Sequence, residues 1–232
     1  MSEPSQQQEV TQWFDTIYQE KGFSYLRPVE AYHIFPSLMS AEAGKKHLDV
    51  ACGLGLMLKV MTELGAHSYG VDISKEAVTR AREFCPEANI GVANAEELPY
   101  EDGFFDYITC LGSLERMIDR RKAIQEQIRV ANTSATFCYM VRNSEHFIWR
   151  FFLKPLGLSN KKGHQDAMNL AEWTALFESC GLKIKMVTRD HWPTLRFLKF
   201  ISPFVKINTC KPRNFLFPLK WSYEYIFIME KK

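Results

Sequence analysis

Seven consecutive residues, Asp49-Val50-Ala51-Cys52-Gly53-Leu54-Gly55, set a carboxylate just ahead of two glycines. Glycine lets a backbone turn tightly and come close to a ligand. A second carboxylate, Asp72, follows seventeen positions after Gly55, at the end of an apolar run. An acid at the end of a second strand accepts hydrogen bonds from ribose hydroxyls. The two features together point to a nucleoside-containing cofactor. A dinucleotide fingerprint calls for a third glycine three positions after the second, and Leu58 stands there instead. Asp49, inside the strand that leads into the glycines, suits an ammonium group, directly or through water.

S-adenosylmethionine (SAM) carries both an ammonium and a ribose, and no phosphate. The stretches HLDVACGLG (47–55), YGVDIS (69–74) and ANAEELPYEDGFFDYITCLGSLERM (93–117) resemble, in order and spacing, the successive motifs of class I SAM-dependent methyltransferases, and more narrowly the small-molecule methyltransferases. The likeness covers residues 47–141, and EWTALFESCGL (172–182) resembles that group's penultimate helix. The resemblance implies that Asp49, Ala51, Gly53 and Gly55 line the methionine part of SAM. It implies that Asp72 holds the ribose hydroxyls, that Ile73 packs on the adenine, and that Asn94, Ala95 and Glu96 meet the adenine edge. The Leu111 carbonyl would reach the methionine ammonium. Asn94 departs from the family, which usually has Asp there, but an amide carbonyl still accepts a hydrogen bond.

In such an enzyme the protein orients the acceptor and excludes water, and it needs a general base only where the acceptor carries a proton. Glu115 and His164 are the candidates for that work, His164 with the polar neighbours Gln165 and Asp166. Arg116 stands where the family often has His, and supplies a fixed positive charge for an anionic acceptor; a surface ion pair with Asp119 or Glu115 is its competing reading. Tyr25, His146 and His191 are further candidates for contact with the acceptor, and Tyr18 and Arg27 could close the site from the N-terminal side.

Strands are expected at 47–51, 68–72, 89–93, 106–111, 135–141, 183–189 and 223–229, with helices at 56–64, 75–85, 118–130 and 170–180 between them. Alternation at this spacing gives βαβ units and a doubly wound α/β fold with a mostly parallel, seven-stranded sheet of the Rossmann-like methyltransferase type. Two helices, 7–20 and 28–39, precede the first strand. The whole of 1–232 reads as a single domain, with 1–40, 142–169 and 190–220 as cap elements over the carboxyl edge of the sheet.

The chain has 232 residues, 46% hydrophobic and 24% charged, which is enough to bury a core without disulfides or metal. Its six cysteines form no CxxC pair, so no zinc site is expected and buried thiols in a reducing, cytoplasmic setting fit the spacing. The N-terminus shows no signal pattern and no apolar run reaches the ~20 residues of a membrane span. Residues 183–232 hold eleven Lys and Arg against three Asp and Glu, but these lie scattered among aromatics, which argues against nucleic acid. The aromatic, basic caps fit either an ordinary lid or a greasy mouth touching a membrane surface. The expected reaction is methyl transfer from SAM to an oxygen or nitrogen of a small molecule, leaving S-adenosylhomocysteine. A lipid or quinone-like amphiphilic acceptor, and a non-catalytic SAM-binding partner protein, are the alternatives. Oligomeric state is not legible in the residues.

Overall fold

A computed structural model describes residues 5–146, 166–190, 192 and 218–232. Seven strands form one sheet: β1 (Lys46–Val50), β2 (His67–Asp72), β3 (Asn89–Val92), β4 (Phe105–Leu111), β5 (Ala131–Arg142), β6 (Leu182–Arg189) and β7 (Glu224–Lys231). Their order is β3-β2-β1-β4-β5-β7-β6. All neighbours are parallel except β7, which runs antiparallel to both β5 and β6.

The strand residues explain this layering. In β1 only Lys46 escapes full burial, as expected of a central parallel strand covered on both faces. In β5, Phe137, Tyr139 and Val141 enter one apolar cluster with Trp173, Phe177 and Phe227, while Cys138 and Met140 enter another with Phe35, Met57 and Met61. That is the two-residue alternation of a strand with a core on each side.

Helices α3 (Leu56–Glu63), α4 (Lys75–Phe84), α5 (Arg120–Val130) and α6 (Leu170–Ser179) cover the faces. Each start is dictated locally: Ser74, Asp119 and Asn169 accept hydrogen bonds from the first-turn N–H groups of α4, α5 and α6. Helix α1 (Gln6–Lys21) opens on a capping box from Ser5 and lies against α4.

The expected helix over 28–39 is broken. Pro28 is extended, Val29–Ala31 form one 3₁₀ turn, and α2 covers only Ile34–Met39. Pro36 is tolerated because it sits in the first turn, where no intrahelical acceptor awaits its missing N–H. Among the described residues no helix is long and apolar enough to cross a membrane. Most of the caps drawn over 142–169 and 190–220 lie outside the described residues.

Candidate active site

The chain leaves β1 toward β2 on one side of the sheet, while β4 pairs on the other. A crevice opens beyond the carboxyl ends at such a switch point. The turn that fills it is unusual in its backbone. Ala51 has φ +59°, a left-handed conformation costly for a residue with a Cβ. Gly53 follows at φ +53°, where an added Cβ would lie 2.9 Å from the Tyr18 hydroxyl. Gly55, at φ +83°, turns the chain into α3 and packs on Ala81, where an added Cβ would stand 3.3 Å away.

Two buried carboxylates face this turn. The Gly53 N–H donates to Asp72 Oδ2 at 2.8 Å and the Ser74 N–H donates to Oδ1 at 2.9 Å. A carboxylate offers about four lone-pair sites, so Asp72 keeps acceptor capacity toward the cleft it lines. Burial pushes its carboxyl up to about 6, against the pull of those N–H donors. On β1, Asp49 Oδ1 accepts from the Thr109 hydroxyl at 2.6 Å, and Thr109 Oγ1 also contacts His47 Nε2 at 2.8 Å. Burial pushes the Asp49 carboxyl up to about 7, chiefly by loss of hydration, and Asp72 adds to it. Among the described residues neither Asp49 nor Asp72 has a cationic partner. A ligand presenting an ammonium and a ribose fits that pair of acids.

Two clefts flank the turn. One runs from Asp72 and Ile73 past Asn94, Ala95 and Glu96, under α1. The other runs from Asp49 and Gly53 past Tyr25, Tyr32 and Leu111 to Arg27, Arg142 and Glu224. Phe14, Tyr18, Ala51, Ser113 and Arg116 line both, so the two clefts adjoin.

The far end of the second cleft is charged. Arg142 closes β5 and Glu224 opens β7, facing each other in register. Arg27 pairs with Asp190 at 2.8 Å and with Glu224. Arg142 lies 3.9 Å from both Glu115 and Glu224. Burial pushes the Glu224 carboxyl up, with Arg27 opposing. It pushes Glu115 up too, helped by the Glu224 charge, and neither Glu115 oxygen has a hydrogen-bond partner.

The cleft thus gathers Asp49, Ala51, Gly53, Asp72, Ile73, Asn94, Ala95, Glu96, Leu111, Tyr25 and Arg116 from the expected set. Gly55 lies off it, as a packing residue between α3 and α4. The Asn94 carbonyl already accepts from the Glu96 N–H at 3.0 Å, and Glu96 Oε1 accepts from the Asp119 N–H at 3.0 Å. Arg116 is buried beneath α1, its guanidinium 5.2 Å from the Trp13 ring and 5.4 Å from Phe14, and its charge also acts on Glu115. Glu115 lies behind Arg142 rather than on the cleft wall. His146 stacks edge-on to Tyr223, off both clefts. His164 and His191 lie outside the described residues. Among the described residues no cluster could hold a metal.

A family model described as a methyltransferase domain matches residues 48–139, from β1 to β5. A protein of Xanthomonas oryzae pv. oryzae (strain PXO99A), named ubiquinone biosynthesis O-methyltransferase, is 30% identical over 181 residues, 71% of this chain and 74% of that protein. The chain belongs to the class I SAM-dependent methyltransferases. A Methylococcus capsulatus protein of the same name is 29% identical over 136 residues, and the methyltransferase spans only 56% of its length. The crystal structure of YcgJ from Bacillus subtilis superposes with a TM-score of 0.62 at 22% identity, covering 87% of this chain and 97% of that one, which shows the shared fold.

Sequence reasoning passed over four polar residues of this methyltransferase site: His47, Thr109, Arg142 and Glu224. Each interrupts or ends an apolar strand, as in HLDV, YITCL and YEYIFIM. A polar residue inside a strand buried on both faces is the signal that could have found them.

Proposed function

We propose that the chain transfers the methyl group of SAM to an oxygen of a phenolic, quinone-like small molecule. The observation that carries the reading is the pair of adjoining clefts: five residues, Ala51 among them, line both, so a nucleoside over Asp72 and an acceptor beside Glu224 would meet beside Ala51. Bound SAM supplies an activated methyl on a sulfonium, which needs only a nucleophile in line with it.

In this reading Asp72 accepts the ribose hydroxyls with the lone pairs left over from Gly53 and Ser74. Asp49 faces the ammonium with the oxygen not engaged by Thr109. Ile73, Asn94, Ala95 and Glu96 surround the adenine. Phe14, Tyr18, Tyr25 and Tyr32 give the acceptor a largely aromatic wall, suited to a flat apolar ring. A phenol must lose its proton as the new C–O bond forms. Glu224 Oε2 is held by Arg27, which leaves Oε1 to take that proton; burial, by raising this carboxyl, makes it a better base. Arg142, whose ion pairs among the described residues are both 3.9 Å long, would steady the phenolate. Two of the relatives carry the name ubiquinone biosynthesis O-methyltransferase, which supports the acceptor class.

The test is transfer of labelled methyl from SAM to a catechol bearing an apolar tail, and to the same catechol without it. Label in the tailed ether, extractable into organic solvent, is expected. Label only in a polar metabolite of a cell extract would replace the acceptor with a small polar one. Tight SAM binding with no transfer to either would favour a non-catalytic SAM-binding protein.

A further inference from the structure

We propose that His47 and Thr109 form a buried relay that aligns Asp49 for the amino-acid end of the ligand, and so set how firmly the site holds that end apart from the nucleoside end. The inference rests on the reading of SAM as ligand.

Strand periodicity makes the juxtaposition. His47 and Asp49 are two apart on β1, so their side chains share one face of the sheet. Thr109 on β4 is the register partner of Asp49. The three side chains run in line, His47 Nε2 to Thr109 Oγ1 at 2.8 Å and Thr109 Oγ1 to Asp49 Oδ1 at 2.6 Å.

With Asp49 ionised, as a bound ammonium requires, proton counting fixes the direction. Thr109 has one hydroxyl hydrogen, and its other acceptor, the Leu48 carbonyl, is further away at 3.5 Å. With the hydroxyl hydrogen on Asp49, the His47 contact requires Nε2–H to donate into Oγ1. His47 is then neutral with its Nδ1 bare, and Nδ1 is buried without a hydrogen-bond partner. An apolar side chain at 47 would avoid that unsatisfied atom. Burial drives the His47 pKa down to about 3, so the ring stays neutral, and the contact with Thr109 then keeps its one N–H on Nε2. The result is a hydroxyl that cannot rotate away and an Asp49 with one oxygen pinned and the carboxylate facing the cleft.

The experiment compares binding of SAM with that of 5′-methylthioadenosine, which has the nucleoside and no amino acid, by titration calorimetry. Thr109→Val is expected to weaken SAM by about tenfold and 5′-methylthioadenosine by less than about twofold, the loss of a hydrogen bond to a charged group falling on one end only. Thr109→Ser should restore SAM affinity. His47→Leu should shift SAM affinity in the same direction by a smaller factor, and His47→Gln, which keeps a donor at the Nε position, should recover it. Binding of 5′-methylthioadenosine reports that each variant is folded; if Thr109→Val loses it, the His47→Leu and His47→Gln pair decides. Equal weakening of both ligands, or unchanged SAM affinity in every variant, would overturn the relay while leaving the cofactor reading intact. Wild-type protein that binds 5′-methylthioadenosine and not SAM would overturn the cofactor reading and the relay with it.

Discussion

The backbone N–H of Gly53 donates to the Asp72 carboxylate at 2.8 Å, which ties the turn after β1 to the end of β2. Asp72 therefore shapes the turn as well as lining the cleft proposed for the nucleoside. Asp72→Ala leaves the Gly53 and Ser74 N–H groups without an acceptor, and should weaken SAM and 5′-methylthioadenosine together by more than about tenfold. Calorimetric titration of both ligands checks it, and unchanged affinity would remove Asp72 from the ribose site.

Asp49 should make stability depend on pH in an uncommon direction. Its folded carboxyl stands near 7, above the ordinary 3.8. Between those values the folded protein holds a proton that the unfolded chain has lost, so this contribution is present at low pH and lost as pH rises through about 7. Asp49→Asn has no charge to bury. The variant should melt above wild type at pH 8, by an upper bound of about 4 kcal/mol at about 1.4 kcal/mol per pH unit, and the gap should close toward pH 4. Thermal scans across that range measure it; a gap that does not change with pH would contradict the buried charge.

Glu224→Gln should lower methyl transfer by about a hundredfold or more while leaving SAM affinity within about twofold, as expected for loss of a general base. Burial raises the wild-type carboxyl, and the base must be ionised, so the wild-type rate should fall as pH falls through that raised pKa. The variant should lack this acid limb. A pH–rate profile of identical shape in both proteins would exclude Glu224 as the base.

Trp173 in α6 is buried and its Nε1–H donates to the Arg142 carbonyl at 2.9 Å. Trp173→Phe keeps most of the ring and drops the donor, which should cost about 1 to 3 kcal/mol in urea unfolding because a buried carbonyl loses its partner. Arg142 closes β5 at the cleft proposed for the acceptor, so KM for the acceptor should rise while the Kd for SAM stays put. An acceptor KM unchanged in a destabilised variant would show that α6 supports the core and not the cleft.

The parallel strands were legible because short, largely apolar runs such as LDVA and YITCL alternate with helical stretches at βαβ spacing, and the glycine turn because a carboxylate and two glycines stand together. The break at Pro28 was not, since Pro is compatible both with a first helical turn and with the extended link seen here. The pair Arg27–Glu224 joins residues 197 apart, and only the reversed direction of β7 brings Glu224 to the carboxyl edge of the sheet. No local pattern encodes that meeting. His47 was visible as a polar residue in an apolar strand, but its partner Thr109 depends on the β1–β4 register.

The reversal of β7 has a practical corollary. Glu224 enters at the cleft, and the strand then runs away from it, so that Lys232 bonds to the Gly181 carbonyl at the opposite rim. Gln7, by contrast, lines the cleft proposed for the nucleoside, near the start of α1. A fluorophore or surface tether attached at Lys232 would stand clear of arriving ligands, and one placed near Ser5 would lie beside the cleft that Gln7 lines and report on their arrival.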